Sequence, residues 1–326
     1  MKKRSGFVDL ARTIAAATGF AAVSALAQPY PVRPIHLVVS YPPGGVHDIV
    51  ARLLQPGMGK SLEQPIVVEN RGGAAGKIAA EAIAKSPNDG YTILVIGDTL
   101  STNPHLYGSI GYDLFRDFAP VAKLAYFPYV LAVNAAVPAG TLKEFVALAR
   151  TKPGALMYGT PGNGSPNHLA AELFQKQAGM KLVHVPYKGT AQAMNDLAGG
   201  QIQAMVVSLT LASTQTSSGK VKILAITSPK RSGLSPQIPT FAESGFPDYE
   251  AGSYVAFFAP AGTPAAIVQR LYVESKNALL VPEVQAKLVQ LGGEAAPASP
   301  EELASLLREQ YERWGRVIRE NNIRPD

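Results

Sequence analysis

The residues able to do chemistry in this 326-residue sequence sit beside glycines. His47 and Asp48 follow Pro42-Pro43-Gly44-Gly45, Ser165 closes Gly162-Asn163-Gly164, Tyr187 and Lys188 precede Gly189-Thr190, and Asp98 and Thr99 follow Gly97. A histidine, an aspartate and a serine could serve a hydrolase as base, orienting acid and nucleophile, provided the fold brings nucleophile and base within hydrogen-bond reach. The established spacings are missing, however. Arg71-Gly72-Gly73-Ala74-Ala75-Gly76-Lys77 has arginine where a phosphate loop needs glycine, and Ile78 where it needs Ser or Thr. A dinucleotide fingerprint fails on Arg71 in that stretch and on Asn167 after Gly162-x-Gly164. No G-x-S-x-G surrounds Ser165, no H-E-x-x-H occurs, and the five histidines (His36, His47, His105, His168, His184) form no close pair at ligand spacing. Neither a metal nor a cofactor is expected.

What the glycine-rich loops can do is bind an anion. In Pro42-Pro43-Gly44-Gly45 the missing side chains let backbone N–H groups approach a ligand, and the start of the following helix favours negative charge. Ser165 fits an N-cap and Pro166 a first helical position, leaving amides and a hydroxyl free, and Tyr187-Lys188-Gly189-Thr190 leads into a third helix. Thr99 is expected at the same mouth. Asp98 reads instead as a helix cap, because a bare carboxylate there would repel an anion.

The elements that must position these loops alternate between strand and helix. Pro34 to Tyr41 is a β-rich run and Asp48 to Leu54 a helix; Ile66 to Glu69, Ala74 to Ala84 and Thr92 to Ile96 continue as strand, helix and strand. Leu156 to Gly159, Pro166 to Gln177, Val183 to Val185, Thr190 to Leu197, Ala204 to Val207 and Ile223 to Thr227 repeat the pattern. Helices near Pro264 to Leu279 and Pro300 to Arg319 close the chain. This predicts an α/β protein with parallel strands covered on both faces. Tyr129-Val130-Leu131-Ala132-Val133 followed by Val137-Pro138-Ala139-Gly140-Thr141 is echoed by Tyr254-Val255-Ala256-Phe257-Phe258 followed by Ala259-Pro260-Ala261-Gly262-Thr263. Two such strands suit a chain that crosses once into a second domain and once back. The expected domains are 28–128 plus 252–326, and 129–251, with Tyr254 either stacking on a ligand or filling the hinge.

Composition narrows the function classes. With 47% hydrophobic and 17% charged residues the chain is globular, and without cysteine it has no disulfide framework, thiolate site or lipid-accepting thiol. The formal charge is +6, but residues 1–27 carry Lys2, Lys3, Arg4 and Arg12 against Asp9, so the remainder holds 26 basic and 23 acidic residues. That balance, with no basic run interleaved with aromatics, gives no footprint for nucleic acid. Residues 1–27 read as an export signal, with a basic start, an apolar stretch from Ile14 to Leu26, and Ala25-Leu26-Ala27 before the cut. Cleavage is expected after Ala27, releasing a periplasmic protein without membrane insertion.

The order and length of several blocks carry a resemblance. These are Tyr30-Pro31-x-Arg33-Pro34-Ile35, Pro42-Pro43-Gly44-Gly45-x-x-Asp48-Ile49-Val50-Ala51-Arg52, Val67-Val68-Glu69-Asn70-Arg71, Asp89-Gly90-Tyr91-Thr92, Gly162-Asn163-Gly164-Ser165, Val185-Pro186-Tyr187-Lys188-Gly189 and Phe258-Ala259-Pro260-Ala261-Gly262-Thr263-Pro264. Over essentially the whole mature chain the sequence resembles the Bug family, the periplasmic solute-binding components of tripartite tricarboxylate transporters. The resemblance implies a type II periplasmic-binding-protein fold, two α/β domains joined by two crossover strands. It implies a monomer closing on a small carboxylate-bearing solute and delivering it to membrane permease subunits, with no catalysis.

By position, the resemblance places the Pro42 to Gly45 loop (with Pro43, Gly44 and Gly45) and Asp48 near one ligand carboxylate, partly through amides and water. Asn163, Gly164 and Ser165 come from the second domain, with Tyr187 and Gly189 nearby; Tyr41, Thr99, Ser208 and Tyr254 complete the expected site. Two departures stand out. Val46 and His47 replace small hydroxyl residues, and a histidine titrating near its ordinary value would be a pH-sensitive anion partner. Val206-Val207-Ser208 stands where relatives commonly have an aspartate or asparagine, which weakens an amino-acid ligand. A sensor presenting its loaded state to a membrane receptor would use the same site, and a periplasmic hydrolase would use His47, Asp48 or Ser165 catalytically.

Overall fold

The computed structural model describes residues 30–325, so the expected export signal and its cut after Ala27 lie outside the described residues. In chain order the elements are β1 (Ile35–Val39), α1 (Val46–Leu62), β2 (Ile66–Asn70), a 3-10 turn (Ala74–Gly76) opening α2 (Lys77–Ala84), β3 (Thr92–Ile96), α3 (Thr99–Leu106), β4 (Phe118–Asn134), α4 (Leu142–Thr151), β5 (Met157–Thr160), α5 (Pro166–Ala178), β6 (Val183–Pro186), α6 (Thr190–Ala198), β7 (Ala204–Ser208), α7 (Leu209–Thr216), β8 (Val221–Ile226), β9 (Gly252–Pro260), α8 (Ala265–Leu279), α9 (Pro282–Gln290), β10 (Glu294–Ala298) and α10 (Pro300–Glu320). Apolar residues at helical spacing explain α1: Val50, Ala51, Leu54, Met58 and Leu62 are all buried. The helix therefore runs on past Leu54 and through Pro56, which costs it one hydrogen bond.

The strands follow the order β2-β1-β3-β9-β4-β7-β5-β6, with β10 and β8 also on β4. β1 pairs in parallel with β2 and β3, and β5 with β6 and β7, as alternating strand and helix require. Between these two parallel halves the pairing is antiparallel, and β4 belongs to both. Its first part, Phe118 to Pro128, pairs with β9, while Tyr129 to Val133 pairs with β7. Sequence periodicity showed only the second part of β4. Most of this strand is buried, so alternation is absent, and Pro120 sits at a register shift where the ladder is already interrupted.

Two lobes result, each an α/β layer structure with its own apolar core. Ile35, Leu37, Leu54, Ile93 and Phe257 lie in the first, and Phe145, Tyr158, Phe174 and Phe241 in the second. Where the chain passes between them, Pro128 faces Gly252 in register. The Thr227 hydroxyl bridges the two passages: it accepts from the Tyr129 N–H (2.8 Å) and donates to the Ala251 carbonyl. Gly252 has no alternative there, because a Cβ would stand 2.6 Å from the Tyr126 ring. A third connection is made by packing. The start of α10 puts Leu303 and Leu307 against the first lobe, while Trp314, Val317 and Ile318, with Ile323 just beyond, join the core of the second. Arg313 donates to the Glu250 carbonyl, and Lys176 of α5 pairs with Glu320.

Candidate functional site

The mouth between the lobes is a cleft of about 800 Å³ at the carboxyl ends of β1, β3 and β5. From the first lobe it is lined by the β1–α1 loop and by α3; from the second it is lined by the loop before α5 and by Thr190. The lobes nearly touch at one rim, where a Cβ on Gly164 would lie 3.0 Å from Leu106 Cδ2. No lysine or arginine is among the described residues lining the cleft. Three helices start there without a side-chain cap: α1 after Gly45, α3 after Asp98, and α6 after Gly189. The first N–H groups of a helix have no intrahelical acceptor, so these ends supply positive potential without a charged side chain.

Of the residues expected from sequence, Tyr41, Pro43, Gly45, His47, Thr99, Asn163, Gly164 and Ser165 are brought together as lining, and six are not. Asp48 turns under the loop, where its carboxylate accepts from the Gly44 N–H (2.9 Å), Arg52 Nε (2.9 Å) and Asn70 Nδ2 (3.0 Å). Burial pushes this carboxyl up, but those hydrogen bonds and the Arg52 charge outweigh it and hold it below the usual range. Gly44, at φ +84°, makes the turn that presents its N–H to Asp48. Tyr187 spends its hydroxyl on Asp196 (2.8 Å), and Gly189 only begins α6. Ser208 opens α7 opposite Tyr129. Tyr254 is packed in the first lobe's core, and its neighbour Ser253 lines the cleft.

Two chemical expectations are corrected. The Ser165 hydroxyl is not free: it accepts from the His168 N–H (3.3 Å) and donates to the Gly162 carbonyl (2.8 Å), while the Gly164 N–H donates to His168 Nδ1 (3.1 Å). Nor is His47 poised to titrate near neutrality. It is 5% exposed and stacks on Tyr41 at 4.4 Å, and Tyr41 in turn hydrogen-bonds Thr99 Oγ1 (2.8 Å). Burial lowers its pKa to about 4, against a weak opposing pull from the Tyr254 backbone, with which His47 Nε2 makes no well-formed hydrogen bond. His47 is thus a neutral ring at pH 7.

Asp98, read as a cap, caps nothing. Its backbone is helical, no cap bond is made, and its carboxylate lines the cleft, accepting from Ser253 Oγ (2.9 Å). Burial pushes its pKa up to about 6. Thr102, Asn103, Leu106 and Tyr107 on or next to α3 also line the cleft. They went unread because Thr-Leu-Ser-Thr-Asn-Pro-His-Leu has no apolar periodicity; the available signal was Gly97-Asp98-Thr99 directly after a strand. Among the described residues no cluster of acids and histidines could hold a metal ion, and no helix is long and apolar enough to cross a membrane.

Comparison with known proteins identifies this arrangement. The profile of the tripartite tricarboxylate transporter family receptor, TctC, matches residues 50–323. The chain belongs to that family. It is 34% identical to the BugT protein of Bordetella pertussis over 97% of this chain and 99% of the relative. Among solved structures, R. palustris Rpa4515 with adipate superposes with a TM-score of 0.75 at 34% identity, over 90% of this chain and 99% of that one. MatC from Rhodopseudomonas palustris with bound malate gives 0.70 at 32%, over 89% and 100%. The resemblance to the Bug family and the two-domain periplasmic-binding-protein fold are therefore established. The family consists of binding proteins and not enzymes, and its receptors take small carboxylates and work with transporter permeases.

Proposed function

We propose that this receptor captures a small carboxylate-bearing solute in the cleft between its lobes and hands it to the permease subunits of a tripartite tricarboxylate transporter. The observation that carries this reading is a cleft entered by uncapped helix starts and free of cationic side chains, which suits an anion held by amides and hydroxyls. Tyr41, Pro43, Gly45, His47, Thr99, Asn163, Gly164 and Ser165 contact the solute. Gly44 and Asp48 shape the first loop from beneath, while Tyr187, Gly189, Ser208 and Tyr254 support the walls. The domains divide at 128/129 and 251/252, and the lobes swing there about the Thr227 bridge. The protein acts as a monomer, exported by a signal cut after Ala27. The adipate and malate of the two R. palustris structures make dicarboxylates the first candidates.

Thermal unfolding of residues 28–326, first unfolded and refolded to remove bound solute, tests this against mono-, di- and tricarboxylates, aromatic acids and amino acids. A ligand at about 100 times its Kd adds about 2.7 kcal/mol, a rise on the order of 5 to 10 °C. A flat panel on a well-folded protein refutes the carboxylate reading.

A further inference from the structure

Asp98 is the one acidic side chain among the described residues lining the cleft, and it is 5% exposed. Its side chain receives a hydrogen bond from Ser253 Oγ and no cation. The groups around it are neutral at pH 7. Tyr41 comes from the β1–α1 loop, Tyr129 from β4 and Tyr254 from β9; their phenols are held above the ordinary range, first by burial and then by the Asp98 charge. His47 on α1 stacks on Tyr41 as an uncharged ring. The ionisable groups that α10 and α2 bring against the α3 region serve its other end, with Tyr311, Glu312 and Arg319 at His105, Lys77 at the Ser109 carbonyl and the Tyr107 ring, and Glu81 at Gly111. A solute carboxylate drawn in by the start of α1 therefore meets a second carboxylate in a poorly hydrated place with no cation between them. Two such groups cannot both ionise there.

We infer that Asp98 is a specificity-determining residue that holds the solute's carboxylate through a shared proton, so that loading the cleft takes up one proton and is favoured by acid. This rests on the carboxylate reading above. Burial, which has already pushed Asp98 up to about 6, makes the neutral acid accessible near neutrality, and a neutral carboxylic acid donates a strong hydrogen bond to a carboxylate. The cleft then selects ligands whose carboxylate reaches Ser253 and Asp98 together.

The test is calorimetric titration of the protein with adipate, malate, succinate and benzoate from about pH 5.5 to about 8.5, in two buffers of different ionisation enthalpy. The probe that binds is expected to lose about tenfold in affinity per pH unit above the Asp98 midpoint and to take up about one proton. Asp98→Asn, a permanent neutral donor, is expected to lose both the slope and the proton uptake, and to bind about tenfold or more tightly than the parent near pH 8. Binding by the parent that is independent of pH and takes up no proton overturns the inference. So does binding weakened by acid, or loss of binding in a folded Asp98→Asn protein, since both would make Asp98 an anionic acceptor for a donor group on the solute. If Asp98→Asn does not fold, proton uptake by the parent decides alone. If no probe binds either protein at any pH, the carboxylate reading fails and this inference with it.

Discussion

Burial acts in opposite senses on His47 and Asp98, two ionisable residues of the cleft walls. His47 is kept neutral, with its pKa lowered from 6.5 to about 4, so the folded state loses stability as pH falls from about 6.5 towards 4. Asp98 is raised from 3.8 to about 6, so its contribution is complete below 3.8 and is lost as pH rises through about 6. At about 1.4 kcal/mol per factor of ten in proton affinity, each displacement is worth on the order of 3 kcal/mol, and between about pH 4 and 6 the two slopes oppose each other. In urea unfolding the contributions of these two groups are therefore expected to cancel across that window, leaving the parent the shallower slope of His105, whose pKa burial also lowers. Asp98→Asn exposes the His47 slope and loses about 3 kcal/mol on acidification; a variant no steeper than the parent would show that His47 is not the group being protonated.

At the scale of elements, the loops that face the cleft are held by hydrogen bonds made within themselves. Gly44→Ala keeps its space, since nothing lies within 4 Å of the new Cβ, yet forces an L-residue to φ +84°. It is expected to cost about 1 kcal/mol and to weaken solute binding by releasing the N–H held on Asp48. Ser165→Ala removes the α5 cap and is expected to cost a further ~1 kcal/mol, measured by thermal unfolding, with a smaller loss of affinity than Gly44→Ala if its hydroxyl serves the cap alone. How legible these elements were depended on periodicity and turn chemistry. Ser165-Pro166 announces a helix start and was found at its residue. The double glycine after β1 was found because glycine before a helical pattern has few other uses. α3 was missed because its residues are polar and buried together, Ser101, Thr102 and Asn103 being no more than 2% exposed, so neither hydrophobic spacing nor exposure marks the helix. Asp98 was misread for a physical reason: an isolated carboxylate in an anion cleft is unfavourable when ionised, and sequence does not show how far burial discourages ionisation.

Across the whole molecule, the echo between Tyr129-Val130-Leu131-Ala132-Val133 and Tyr254-Val255-Ala256-Phe257-Phe258 was enough to anticipate two passages between lobes. The helix from Pro300 to Arg319 was also legible as α10, but not that it joins both lobes, because an amphipathic stripe reads the same whether it serves one core or two. Because α10 packs Leu303 and Leu307 on one lobe and Trp314 and Val317 on the other, the lobes are expected to unfold together. Trp314 is the single tryptophan, so its fluorescence reports the second lobe while far-UV circular dichroism reports both. The two transitions should coincide in the parent and separate in a Val317→Ala, Ile318→Ala double variant, which cuts the second lobe's share of the helix and keeps Trp314 as the probe. Coincident curves in that variant would mean that the strand passages alone couple the lobes.

A helix gripped at both ends also has a mechanical meaning. Two strands alone would let the lobes swing like a door, with no preferred angle beyond contact at Leu106 and Gly164. With α10 packed on both, any change of angle must also shift or bend this helix. Such a receptor is expected to be stiffer between its lobes than one whose lobes share two strands alone.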